Sequence, residues 1–249
     1  MSAAWAIFKR ELLSLWLTPL AWVLLTTFLL IQGGVFYSIT VHFSQVDASM
    51  GNGGPIQAYF GSQSLLMALT LLLLCPGLTM RTLAEERRSG SMEALLSAPV
   101  SAHAIVLGKY LGSLVTYVLI WAPTLLYAAT LRDTGVIYLP VLASGYLGVF
   151  LIGAAYLAIG VLMSAIANSQ LVALLLTSGF IFGLFVLGIG EYILDSETLR
   201  QVCGYVSLTS TLEETAQGLI DSRRIVFYGS LTLWALFVSG RVVESWRSP

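Results

Sequence analysis

The 249-residue chain is 57% hydrophobic and only 10% charged, with a net charge of −1 and a mean hydropathy of +0.86. A water-facing surface usually needs about 25% charged residues, so lipid must solvate much of this chain. The near-neutral balance excludes a basic nucleic-acid footprint. Cys75, Cys203, His42 and His103 are too scattered for a disulfide framework or a metal cluster, so neither is expected.

Met1 to Trp16 places Trp5, Phe8, Leu12, Leu15 and Trp16 at helical spacing, with Lys9, Arg10 and Glu11 on another face. The pattern predicts a helix lying in the membrane interface over residues 1–16; the alternative is a frayed start to the first span. Lys9 and Arg10 precede an apolar stretch of about 20 residues, longer than the roughly 7–15 of a signal-peptide core, so an uncleaved first span is expected.

A bilayer core about 30 Å thick needs about 20 apolar residues in a helix. Six stretches reach that length: residues 20–41, 62–80, 105–131, 139–163, 171–192 and 225–243. Pro19 suits a helix start, and Pro123 predicts a kink in the third span. None of the six carries a charge at its middle. The expected fold is therefore an all-α integral membrane domain covering residues 1–249.

Orientation follows from lysine and arginine. With both termini cytoplasmic, the inner side holds Lys9, Arg10, Arg81, Arg87, Arg88, Lys109, Arg241 and Arg247, and the outer side Arg132, Arg200, Arg223 and Arg224. Residues 193–224 then form an extracytoplasmic segment, whose stretch Thr209 to Ile220 predicts a short amphipathic helix dipping into the outer leaflet. Small residues recur at four-residue spacing in Gly179 with Gly183, Ser144 with Gly148, and Gly160 with Ser164. Such pairs let helices approach closely, and packing within one subunit is preferred here over a dimer seam.

The one dense charge cluster is the cytoplasmic loop Arg81 to Ser101. Glu85 and Glu86 precede Arg87 and Arg88, so ion pairs are available within one helical turn. Gly90 breaks that helix. Ser91 can cap a second one, with Glu93 in its first turn, where the helix dipole favours an anion. Met92, Leu95 and Leu96 share a face, and Pro99 ends the helix. The product is a short helix with an apolar stripe, shaped either to seat in a protein groove or to lie on the membrane surface without a partner.

The segment Leu83 to Ser101, followed by Leu107-Gly-Lys-Tyr110, resembles the hallmark of ABC type-2 transporter permeases. Gly218-Leu-Ile-Asp221 before Ile225-Val-Phe-Tyr228 is similar to the gliding-motility and nitrous-oxide-accessory branch, with one departure at Ser207-Leu-Thr, where relatives often show serine then proline. The resemblance implies a coupling helix between spans two and three. Its role falls on Glu85, Glu86, Arg88, Gly90, Ser91, Glu93, Leu95, Leu96 and Pro99, which would seat in a cytoplasmic ABC ATPase present in two copies. It also implies a second permease copy or a sister permease, export, and residence in a bacterial inner membrane.

No phosphate-binding loop is present: Gly108-Lys109 is followed by Tyr110, and the earlier glycine is replaced by His103. The chain is therefore expected to bind no cofactor and to carry no catalytic residue, with ATP and magnesium held by the partner ATPase. Intramembrane acids for a proton relay are also missing. The alternative function is a membrane scaffold that recruits a cytoplasmic protein through the same loop without transport.

Overall fold

The structure, a computed structural model, describes residues 3–45, 54–62, 64–90, 100–131, 139–193 and 196–246. Helices, and no strand, form the described residues. Six of these helical segments are long and apolar enough to cross a membrane: Pro19–Gln45, Leu65–Ser89, Ala102–Leu131, Leu139–Ile166, Gln170–Ile193 and Ser222–Ser245. The chain is an all-α integral membrane protein.

Helix α1 (Ala3–Leu17) turns into α2 (Pro19–Gln45) through a tight corner. The Thr18 hydroxyl donates to the Leu15 carbonyl at 2.8 Å, and the Trp22 indole donates to the Trp16 carbonyl at 3.1 Å. Polar Gln32 is buried midway along α2, yet it is satisfied. It accepts from the Tyr59 hydroxyl at 2.8 Å and donates to Thr70 Oγ1 at 3.2 Å, as a polar side chain in an apolar interior must.

A short helix, α3 (Pro55–Gln57), and a π turn (Ala58–Ser62) carry Tyr59 and Phe60 into the bundle before α4 (Ser64–Thr79). After α5 (Ala84–Ser89) the third span begins as α6 (Ala102–Trp121). A single 3-10 turn at Ala122–Thr124 contains Pro123, and α7 (Leu125–Leu131) follows. The missing proline N–H accounts for the break.

The central post is α8 (Leu139–Ile166), buried almost continuously from Ile152 to Leu162. Four of its neighbours insert against four different glycines. A Cβ on Gly145 would stand 2.6 Å from the Phe60 ring and one on Gly148 2.5 Å from Thr215 Oγ1. At Gly153 a Cβ would overlap Tyr117, and at Gly160 it would overlap Thr79. Two tyrosines of α6 fasten onto α8 carbonyls, Tyr110 on Ala154 at 3.2 Å and Tyr117 on Val149 at 3.0 Å.

Helix α9 (Gln170–Ile193) is followed by α10 (Glu197–Val206), α11 (Leu208–Ala216) and α12 (Ser222–Ser245). Within the stretch expected to form a short amphipathic helix, α11 buries Thr211, Leu212, Thr215 and Ala216 against the bundle. Its threonines are at no loss there, because their hydroxyls bond carbonyls of their own helix. The small-residue pairs also divide. Ser144–Gly148 and Gly160–Ser164 pack within the chain, whereas a Cβ on Gly179 or Gly183 would meet no atom within 4 Å. Packing inside the subunit is therefore not the use of the third pair: its side of α9 is turned away from the other described helices.

Candidate functional site: the root of the charged loop

Helix α5 is six residues long, too short to hold itself together in isolation. Its charges run with the helix dipole, with Glu85 and Glu86 in the first turn and Arg87 and Arg88 in the last. Its N-terminus is capped from elsewhere in the fold. Ser164 Oγ on α8 accepts from the Leu83 N–H at 3.1 Å and the Ala84 N–H at 3.0 Å. Leu83, Ala84 and Ser164 are all fully buried. Gly90 ends the helix in the left-handed region at φ +73°, which glycine adopts without strain.

The closest ion-pair partners of the carboxylates come from beyond their own turn. Glu85 takes Arg81 at 2.7 Å. Glu86 turns inward to a cluster in which Lys109 Nζ stands 3.1 Å from Glu86 Oε1 and 3.0 Å from Glu11 Oε2, and Arg10 Nη2 stands 3.1 Å from Glu86 Oε1. The reason is geometric: α1 and α6 bring cations into reach of α5 that the short helix cannot present to itself. Two cations and two carboxylates balance the cluster. That balance is what permits Lys109 to be only 2% exposed, since an unpaired buried ammonium costs several kcal/mol.

The Gly-Lys pair at the start of α6 thus has two separate jobs. A Cβ on Gly108 would lie 2.9 Å from the Ala4 carbonyl and from Ile7, so glycine makes room for α1. Gly112, one turn on, does the same for Glu11. Lys109 then joins α1 to α5. On the other side, Arg87 lies over the Trp246 ring at 5.1 Å, a cation–π contact with the end of α12. The α5 root is therefore tied to α1, α6, α8 and the end of α12.

Of the sequence-derived coupling residues, the structure places Glu85, Glu86 and Gly90 at this root and leaves Arg88 exposed. Ser91, Glu93, Leu95, Leu96 and Pro99 lie outside the described residues. Sequence reasoning missed Ser164, Arg10, Glu11 and Trp246 as partners of the loop. Lys109 drew notice as an inner-side cation and as part of a motif, not as a partner of Glu11 and Glu86.

The described residues are an all-α bundle of six spans, with a dense charge cluster where the α5 root meets four helices. The sequence profile of the ABC-2 family transporter proteins matches residues 32–213, from the middle of α2 through most of α11. The chain belongs to that family and is a permease component of an ABC transporter. Members of the family form the transmembrane part of such transporters and work with a cytoplasmic ATPase. No curated protein matches the chain significantly.

Proposed function

We propose that the chain is the permease subunit of an ATP-driven exporter and that its ATPase, a separate polypeptide, docks on the segment that follows α5. The observation that carries this reading is the fourfold anchoring of the α5 root. A docking segment can drive spans only if its base is rigidly attached to them, and Ser164, Lys109 and Trp246 supply that attachment. Lysine and arginine predominate at this end of the bundle, which supports a cytoplasmic position for it and for both termini.

In this reading Met92, Leu95 and Leu96 grip a groove of the ATPase, Glu93 sets the register, and Ser91 and Pro99 bound the helix. Arg88, exposed beside them, adds a contact to an acidic rim. ATP and magnesium reside on the ATPase, of which two copies close on nucleotide. Closure pushes the loop. Lys109 then carries the displacement to α1 and α6, and Ser164 carries it to α8. Two permeases, identical or sister chains, form the path between them in a bacterial inner membrane.

The test is co-expression with the ATPase encoded nearest to the chain, purification in lipid, and measurement of ATP turnover with wild-type permease and Leu95→Asp. A complex whose turnover responds to the permease, and loses that response in the variant, supports the proposal. Failure to form a complex with any ATPase would point instead to a scaffold that recruits a protein without transport.

A further inference from the structure

Away from the charged end, a cavity of about 500 Å³ opens between α6 and α8, beside the 3-10 turn that breaks the third span. Its walls are apolar or aromatic, among them Val118, Trp121, Leu142 and Phe150. The polar atoms it contains are already engaged or sealed. The Tyr117 hydroxyl donates to the Val149 carbonyl at 3.0 Å, and the Tyr146 hydroxyl bonds Thr124 Oγ1 at 2.7 Å. The Trp121 indole nitrogen is buried in the wall. A hydrophilic molecule would find nothing to replace its water here.

The rim faces outward from the bundle within two of the membrane-spanning helices: Val118, Leu125, Leu139 and Phe150 are all between 41% and 72% exposed. The cavity is thus continuous with the surface that the spans present to lipid. Along α8 its lining runs from Leu139 to Phe150. That is about 16 Å of helix, close to half of a ~30 Å hydrocarbon core and so the depth of one leaflet. Within its lining the Trp121 ring meets Tyr146 edge-on.

We infer that this groove holds one acyl chain of a bilayer phospholipid, taken sideways from the leaflet at the end opposite the charged loop. The apolar lining, the engaged hydroxyls, the one-leaflet length and the continuity with the lipid-facing surface all select a hydrocarbon tail. A bound tail would fill the space beside the helix break at Ala122–Thr124 and brace the angle between α6 and α7. The site is independent of ATPase docking, since it shares no residue with the α5 root.

The experiment uses the full chain in vesicles of phosphatidylethanolamine and phosphatidylglycerol, doped with a phosphatidylcholine carrying a diazirine in one acyl chain. After illumination, the labelled residues are mapped by mass spectrometry. Labelling concentrated at Leu142, Ala143 and Phe150, above that of Leu175 and Phe182 on the exposed face of α9, is the expected result. Ala143 and Ala122 line the cavity and are exposed within it, so enlarging them fills the groove without crowding the core. Ala143→Trp and, on the facing wall, Ala122→Leu should each bring groove labelling down to the α9 level while α9 labelling stands. Even labelling of both surfaces in the wild type, or groove labelling indifferent to a variant that keeps its α9 labelling, overturns the inference. Should either variant fail to fold, the wild-type distribution alone decides.

Discussion

Ser164 caps Leu83 across 81 residues of chain: its hydroxyl, fully buried on α8, accepts the Leu83 N–H at 3.1 Å and takes the neighbouring Ala84 N–H as well. A helix cap is usually supplied by a residue next to the helix. Here it comes from another span, so the start of α5 is fixed with respect to the central post and not merely to its own loop.

Ser164→Ala should therefore uncouple more than it unfolds. It leaves two buried donors unpaired, at about 1–3 kcal/mol for each such group. The melting temperature of the purified protein should fall, and the permease-dependent part of ATP turnover should fall further. Unchanged melting and unchanged turnover together would show that α5 does not rely on this cap.

Lys109→Met should be strongly destabilising, because Glu11 and Glu86 then share the site with Arg10 alone. Removing one partner of a buried ion pair costs roughly 3–5 kcal/mol. Adding Glu11→Gln restores the charge balance, so the double variant should melt well above the temperature expected from adding the two single effects. Strict additivity in the double-mutant cycle would mean that Lys109 and Glu11 do not interact.

Gly160→Ala and Gly179→Ala make a matched pair, since both glycines sit in membrane-spanning helices with a small residue four positions on. A methyl group at Gly160 overlaps Thr79, and overpacking of this kind costs about 1–3 kcal/mol. At Gly179 it meets open space, and helix propensity alone favours alanine by up to ~1 kcal/mol. Thermal melting should place the two variants on opposite sides of the wild type. A shared loss of stability would contradict the packing described for α8 and α9.

The six spans are legible in the sequence because bilayer thickness imposes a length of about 20 apolar residues on each. The Pro123 break is legible for a similar reason, being written into one residue. The junction at α5 is not. Lys109 and Glu11 lie 98 residues apart, and no spacing rule reaches that far. The inward face of α11 is not legible either, because it is partly polar: Thr211 and Thr215 are buried with their hydroxyls bonded to carbonyls one turn back. Gly160 and Gly179 carry the same local signal, and only the position of neighbouring helices shows which of them is covered.

The distance in sequence between Leu83 and Ser164 also sets an order of biogenesis. At a synthesis rate of about 5–20 residues per second, the ~80 intervening residues take roughly 4–16 s to emerge. Throughout that interval the first turn of α5 has no cap, and only insertion of the fourth span supplies one. The α5 root is consequently finished late, after the post behind it stands in the bilayer, so a half-inserted chain lacks it in final form.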